Sequence, residues 1–343
     1  MQNSDAITRV TKAIETIKTG KMVLMIDDED RENEGDLVYA GALSTPELVN
    51  FMVSEARGLV CVALERQHAQ RLDLQPMVAK NTSGHETAFT VTVDAKSAST
   101  GVSAYERHDT IKILTDPFAR PDDLVRPGHI FPLIGKDGGV LVRTGHTEGS
   151  LDLCRLAGLL PVGVICEVLK PDGTMARRPD LDIFCAKHDI PIVYIADLIE
   201  YRLRREQLVQ RVKTEERVVF GVGVTLSYWL DHFGRTHRAV QFGETKSETF
   251  VKFHAVRSDA DLLLDSTQLN GILQAIDLLK TSGGVLLFIN EGSQNAQKEF
   301  GVGAQILIAL GVTRLTLLAT QEIAAPVALG GFGLEISQTV LLA

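Results

Sequence analysis

Between Asp27 and Asp36 the chain carries seven carboxylates and one arginine in ten residues: Asp27-Asp28-Glu29-Asp30-Arg31-Glu32-Asn33-Glu34-Gly35-Asp36. Carboxylates this dense repel one another, and a buried unpaired charge is costly, so the segment is either solvated or holds cations. Oxygen-rich clusters suit hard ions such as magnesium. Arg31, in their midst, offers a fork of donors to a phosphate or carboxylate. A charge run taken alone reads as a solvated loop. This one joins two apolar runs, Met22 to Ile26 and Leu37 to Leu43, that read as strands, and such a turn normally needs fewer residues.

A second stretch with chemical content is Gly138-Gly139-Val140-Leu141-Val142-Arg143-Thr144-Gly145-His146-Thr147-Glu148. It predicts a strand ending at Arg143 and a helix capped by Thr147 that runs through Leu151, Leu153, Leu156 and Ala157. Arg143, His146 and Thr147 then surround a helix N-terminus, where free N–H groups and the dipole favour a phosphate. At its rim His146 is placed to ligate a metal; the plain alternative is a capped helix with a surface histidine. Val162 to Leu169 reads as a buried strand with Glu167 inside it, and a carboxylate there is expensive unless paired, which marks Glu167 as functional. Three signals are weaker. Ser99-Thr100-Gly101-Val102-Ser103 is a hydroxyl-rich turn that could offer donors to an anion, His129 follows a Pro127-Gly128 turn, and Cys61 reads as a buried thiol more readily than a reactive one.

The elements that must position these residues alternate along the chain. Ser4 caps an expected helix with Ile7, Val10, Ile14 and Ile17 on its apolar face and Gly20 as its stop. Thr45-Pro46-Glu47 starts a second, which leads past Gly58 into a strand from Leu59 to Leu64. Thr87 to Val93 alternates as a strand, 179–188 reads as a helix, 190–195 as a strand, and 197–212 as a charged helix. Tyr201 to Gln207 is the expected seam between domains. Beyond it come strands at 218–226, 249–256, 284–289 and 313–319, a helical face at Leu269, Ile272, Leu273, Ile276 and Leu279, and a helix over 299–310. That alternation predicts an α/β unit with some parallel pairing.

Composition sets the outer bounds. At 343 residues, 45 % hydrophobic and 23 % charged, the chain is ordinary globular material and long enough for two domains. A net charge of −9 argues against a general nucleic-acid binder. No signal-peptide pattern and no apolar run near ~20 residues is present, so no membrane partner and a cytoplasmic location are expected. Cys61, Cys154, Cys166 and Cys185 form no CxxC pair, and no cysteine follows Cys185.

Taken together, Asp-Glu-Asp-Arg-Glu-Asn-Glu-Gly-Asp at 28–36, Ser-Thr-Gly-Val-Ser-Ala at 99–104, Arg-Pro-Gly-His-Ile-Phe-Pro-Leu at 126–133, Arg-Thr-Gly-His-Thr-Glu at 143–148 and Cys-Glu-Val at 166–168 closely resemble the 3,4-dihydroxy-2-butanone 4-phosphate synthases. The likeness covers roughly residues 5–205. It implies a lyase of riboflavin biosynthesis that turns ribulose 5-phosphate into the four-carbon ketone phosphate and formate, a mixed-sheet α+β fold, and a homodimer with sites at its interface. By matched position, Glu32 and His146 would ligate a pair of Mg2+ (or Mn2+) ions. Arg31, Glu32, Asp36, Thr100, Arg143, Thr144, Gly145, His146, Thr147 and Glu167 would hold substrate, and His129, Glu167, Asp36 and Cys61 would move protons.

Residues from about 210 onward resemble GTP cyclohydrolase II through Phe300 to Leu307 and Gly331 to Glu335. That family holds catalytic zinc with three cysteines. The corresponding Phe253 to Asp259 has none, Asn290-Glu291-Gly292-Ser293 replaces Gln-Glu-Gly-Arg, and Lys298 stands for the reactive arginine. The expected organisation is therefore a synthase domain over 1–207 and a smaller α/β, cyclohydrolase-like domain over 208–343 that lacks zinc and catalysis. The alternatives are a bifunctional enzyme that still opens GTP, or a binding or dimer-stabilising module.

Overall fold

The computed structural model describes residues 5–29, 31–84, 87–231, 234–244, 248–256, 258–290, 296–320 and 334–342. They form two compact units, Met1–Tyr201 and Arg202–Ala343. Of the positions singled out above, Ser4, Asp30, Arg257, Glu291 to Ser293 and Gly331 to Gly333 lie outside the described residues.

In the first unit the elements run α1 (Ala6–Lys18), β1 (Val23–Ile26), β2 (Gly35–Ala40), α2 (Pro46–Phe51), β3 (Cys61–Leu64), α3 (Arg66–Arg71), β4 (Val93–Ala95), α4 (Ala104–Thr115), β5 (Leu124–Ile134), α5 (His146–Leu156), β6 (Val162–Glu167), α6 (Arg178–His188), β7 (Ile192–Tyr194) and α7 (Ile195–Arg205), whose end crosses into the second unit. The seven strands order as β4-β5-β3-β6-β2-β1-β7. The sheet is mixed, since β1 pairs β7 and β3 pairs β5 in parallel while the other neighbours are antiparallel. One face buries Leu24, Leu37, Tyr39, Val62, Leu64, Val164 and Cys166 against α2, α4 and α6. On the other face α1 and α5 pack across the sheet.

Several expectations change locally, each for a physical reason. The cap of α1 is Asp5, whose Oδ1 accepts the Thr8 N–H. After Ala40 the chain turns into a short 3-10 helix over Gly41–Leu43 and does not continue as a strand. The helix begun at Pro46 widens into a π-turn over Met52–Ala56 and stops at Arg57, which takes a left-handed φ of 70°. Residues 87–92 pair only through isolated bridges of Thr90 with Pro76 and Phe89 with Leu133; regular pairing starts at Val93. Gly138 and Gly139 have φ of 92° and 64°, which breaks the predicted strand and yields a 3-10 turn over Gly139–Leu141. His129 lies within β5, not after a turn.

The second unit continues with β8 (Val209–Val219), β9 (Val222–Asp231), β10 (Thr236–Phe242), β11 (Thr249–Ala255), α8 (Asp259–Leu264), α9 (Ser266–Ser282), β12 (Gly284–Ile289), α10 (Ala296–Ala309), β13 (Arg314–Ala319) and β14 (Glu335–Leu341). Its sheet orders as β14-β13-β11-β12-β10-β9-β8, parallel from β14 to β12 and antiparallel from there to β8. The apolar stripe of α9, Ile272, Ala275, Ile276 and Leu279, covers one face, and Val302, Ala304, Ile306 and Leu307 of α10 cover the other. The charged helix expected to reach Val212 ends at Arg205, and a single expected strand over 218–226 is a hairpin turning at Phe220-Gly221, both with positive φ. This gives an α+β mixed-sheet unit followed by a smaller α/β unit. Among the described residues no helix is long and apolar enough to cross a membrane.

Candidate active site

The sheet register assembles the first part of the site. Asp36 on β2 lies directly opposite Glu167 on β6, and Cys61 on β3 lies opposite Ile165, two residues before Glu167. With side chains alternating along a strand, Asp36, Glu167 and Cys61 share one face, the face on which α5 lies. A Cβ on Gly149 would sit 2.4 Å from Sδ of Met25, the residue opposite Asp36, so glycine lets α5 approach β1 closely. His146, one turn earlier, comes down over the carboxylates.

The acidic loop closes the site through Asp27. This carboxylate, 5 % exposed, accepts the Glu34 N–H on Oδ1 at 2.9 Å and the Glu32 N–H on Oδ2 at 3.2 Å, and pairs with Arg31 Nη1 at 2.7 Å. Arg31 Nη1 also lies 2.9 Å from Glu32 Oε2. The loop thus folds around a buried carboxylate and turns Glu32 towards His146, whose Nδ1 is 3.6 Å from Glu32 Oε2 and 3.8 Å from Asp36 Oδ1. Asp27, Glu32 and His146 offer ligand atoms within 4.8 Å of one another. Asp36 Oδ1 and His146 Nε2 are buried with no hydrogen-bond partner. Buried polar atoms are nearly always satisfied, so orphans on Asp36 and His146, two side chains that meet beside Glu32, are what a cation or substrate oxygen would complete.

The electrostatics agree. Burial opposes charge on Glu32, but His146 and Arg31 outweigh it and bring the carboxyl down to about 2. Asp36, fully buried and near Glu167, Glu32 and Glu34, is pushed up to about 7 despite the nearby imidazole. Burial would depress His146, yet Asp36, Glu32 and Asp27 raise it to about 9. Three carboxylates and an imidazole with too little positive charge among them fit a hard divalent ion.

Glu167 is half-buried and fixed from outside the strand: its Oε2 accepts the Leu59 N–H at 2.8 Å. Burial first, then Glu167 and Asp36, raises the Cys61 thiol well above its ordinary value. Burial likewise pushes Cys154 and Cys185 up to about 12. All four thiols should accordingly resist iodoacetamide at pH 7 in the native protein, while the unfolded chain takes four labels. Mass spectrometry checks this, and rapid native labelling at Cys61 would contradict a protonated thiol there.

Arg143 sits after the 3-10 turn, its Nη1 2.6 Å from Oε2 of Glu148, which is 1 % exposed, and its Nη2 3.2 Å from Thr87 Oγ1. Gly145, and not Thr147, is the N-cap of α5, and a Cβ there would fall 2.3 Å from Arg143 Nη1. Thr144, Gly145, His146 and Thr147 therefore wrap the helix start under a fixed guanidinium.

The turn at 99–103 does hold an anion, but it is the chain's own. Glu106 accepts from the Ser99 N–H and hydroxyl at 2.7 Å each, the Thr100 N–H and hydroxyl at 3.2 Å each, and the Ser103 hydroxyl at 3.0 Å, which lowers its carboxyl to about 2. Thr100 is thus engaged by Glu106. His129 lies beside this turn, its Nδ1 2.8 Å from Asp94 Oδ2.

Sequence reasoning passed over Asp27, Asp94 and Glu148 as placing residues. The rule that singled out Glu167, a carboxylate within an apolar strand, would have found Asp94 in Thr90-Val91-Thr92-Val93-Asp94-Ala95.

Comparison with known proteins agrees with this geometry. The family model for 3,4-dihydroxy-2-butanone 4-phosphate synthase matches residues 11–201, and that for GTP cyclohydrolase II matches 290–341. A 3,4-dihydroxy-2-butanone 4-phosphate synthase of Sulfurospirillum multivorans is 54 % identical over 333 residues, covering 96 % of this chain and 94 % of its own. A crystal structure of a two-domain 3,4-dihydroxy-2-butanone 4-phosphate synthase from A. baumannii superposes with a TM-score of 0.84 at 41 % identity, over 97 % of this chain and 99 % of that one. A synthase solved with two magnesium ions matches 57 % of this chain and 97 % of its own, with a TM-score of 0.55 and 37 % identity. With a family model spanning the whole acid-and-histidine site and a relative aligned nearly end to end, the chain belongs to the 3,4-dihydroxy-2-butanone 4-phosphate synthase family, lyases of riboflavin biosynthesis.

Proposed function

We propose that residues 1–207 form the synthase domain and convert D-ribulose 5-phosphate to 3,4-dihydroxy-2-butanone 4-phosphate and formate, as a cytoplasmic homodimer using two Mg2+ (or Mn2+) ions in each site. The observation that carries this reading is the meeting of Glu32, Asp36 and His146, whose Nδ1 lies 3.6 Å from Glu32 Oε2 and 3.8 Å from Asp36 Oδ1, with Asp36 Oδ1 and His146 Nε2 buried and without a hydrogen-bond partner. Glu32 and His146 would hold the metal, which when bound supplies positive charge that lowers the cost of removing a proton beside a carbonyl. Arg143 and the α5 start, Thr144 to Thr147, grip the phosphate with charge-assisted hydrogen bonds, Arg31 adds a further donor, and Thr100, whose N–H and hydroxyl proton go to Glu106, can offer substrate only a hydroxyl lone pair. Asp36, brought near neutrality by burial, can take and return a proton at working pH. Cys61 stays protonated and can only donate, while Glu167 and the half-exposed His129 are the remaining carriers.

In this proposal residues 208–343 form a GTP cyclohydrolase II-like domain that neither binds catalytic zinc nor opens GTP. A catalytic zinc site commonly needs three protein ligands. Both ring nitrogens of His237 are already used: Nδ1 accepts the Asn290 N–H at 3.1 Å and Nε2 lies 3.1 Å from Asp231 Oδ2. The full-length protein, given ribulose 5-phosphate alone, should release formate; given GTP with zinc, it should release none and should retain no stoichiometric zinc after desalting. Formate from GTP would restore the bifunctional reading, and no product from ribulose 5-phosphate would defeat the synthase assignment.

A further inference from the structure

The acidic loop is held from two sides. On the inside, Asp27 accepts the N–H groups of Glu32 and Glu34. On the outside, Arg177 Nη1 donates to the carbonyl oxygens of Glu32 and Asn33, at 2.7 and 2.5 Å. Asn33 has a left-handed φ of 54°, which asparagine tolerates better than most residues, and there two successive carbonyls meet one guanidinium nitrogen. With its N–H groups gathered by a buried carboxylate and its carbonyls by a cation, the stretch 32–34 has little freedom left.

Arg177 is itself fixed. As the N-cap of α6, it donates its N–H to Asp180 Oδ2 at 3.0 Å, and its carbonyl accepts the Asp180 and Leu181 N–H groups at 2.8 and 2.9 Å. The preceding Ala176 N–H donates to the Val168 carbonyl at 3.0 Å, one residue beyond Glu167. Leu181 packs against the exit of the loop, where a Cβ on Gly35 would fall 2.7 Å from its Cδ1. Arg177 Nη1 also lies 3.7 Å from Glu34 Oε1, but with 45 % of the arginine side chain exposed that ion pair counts for little beside the two carbonyl bonds.

We propose that Arg177 is the latch of the acidic loop: it is the positioning residue of Glu32, acting on that residue's backbone, and it sets how tightly the site holds a divalent cation. The inference rests on the reading of Glu32 as a metal ligand. Loss of a group that orients a metal ligand costs about 10- to 100-fold in metal affinity. Arg177→Met keeps the apolar stem and removes the donors, so Mn2+ should bind about 10- to 100-fold more weakly. The thermal midpoint should stay near that of the wild type, because the side chain is half-exposed and the cap of α6 is made by the backbone. Arg177→Lys, which keeps a charged donor for the carbonyls, should fall between the two.

The test is a Mn2+ titration of the full-length protein without substrate, read by electron paramagnetic resonance of the free ion, together with hydrogen exchange of the metal-free protein. The expected result is weaker Mn2+ binding and faster exchange of the Glu32 and Glu34 amides in Arg177→Met, with turnover restored as Mn2+ is raised. If Glu32→Gln loses Mn2+ but Arg177→Met binds it like wild type, this inference alone fails. Wild-type affinity in Glu32→Gln removes Glu32 as a ligand and overturns both. Should Arg177→Met not fold, exchange in the metal-free wild type decides, since Glu32 and Glu34 amides exchanging at the rate of an open chain would mean that the loop is not held.

Discussion

Glu32→Ala and His146→Ala each lower formate release from ribulose 5-phosphate by about 10³-fold or more, because several kcal/mol of charge stabilisation leave with the metal and each ~1.4 kcal/mol is tenfold in rate. Neither change should unfold the protein. Glu32 is on a loop, and Asp36, which loses its neighbouring imidazole in His146→Ala, can stay buried in its protonated form. The same site sets the sign of a pH effect. In the metal-free protein His146 holds its proton up to about 9 and Asp36 up to about 7. A cation must displace those protons, so magnesium should bind more tightly as pH rises from 6 to 9, with proton release on binding. Calorimetry in two buffers of different ionisation enthalpy reads this directly. Equal affinity at pH 6 and pH 9, or full turnover by either alanine variant, would remove Glu32 and His146 as ligands.

Gly58→Ala should inactivate without removing any charged group. A Cβ at this position would lie 2.3 Å from the Glu167 carbonyl oxygen, 2.8 Å from its nitrogen and 2.7 Å from Oε2. Backbone atoms of β6 cannot yield as a side-chain tip would, so the end of β6 must move and carry Glu167 with it. The adjoining Leu59 N–H, which holds the Glu167 carboxylate, shifts as well. Displacement of a reacting group by about 1 Å costs on the order of 10²-fold in rate. Overpacking adds roughly 1–3 kcal/mol of destabilisation. Activity and thermal midpoint should both fall in Gly58→Ala, whereas Glu167→Gln should lose activity with the midpoint nearly kept. Wild-type activity in Gly58→Ala would mean that Glu167 tolerates relocation and does not touch the reacting atoms.

The parts of the site that were legible in the sequence carry their own signal. Seven acids around Arg31 and a carboxylate within Val162 to Leu169 are costly arrangements wherever they fall, and cost marks function without knowledge of the fold. Asp27 and Asp94 were not legible as organisers, since each acts through loop closure or a register shift that exists only after folding. Gly58 looked like a helix stop, and its contact with Glu167, 109 positions later, belongs to the sheet topology. Local errors have local causes. Two adjacent glycines with positive φ converted the strand expected before Arg143 into a 3-10 turn. β8 was hidden because it is an edge strand whose exposed Arg211, Lys213, Glu216 and Arg217 mimic a solvated helix, and charges are how edge strands avoid further pairing.

The most direct test of the magnesium-dependent synthase assignment is formate production from ribulose 5-phosphate by the full-length chain, before chelation, after exhaustive chelation, and after magnesium is restored. Formate should appear with the four-carbon ketone phosphate in equal amounts, cease on chelation and return with magnesium. Undiminished formate release from the chelated protein would contradict it.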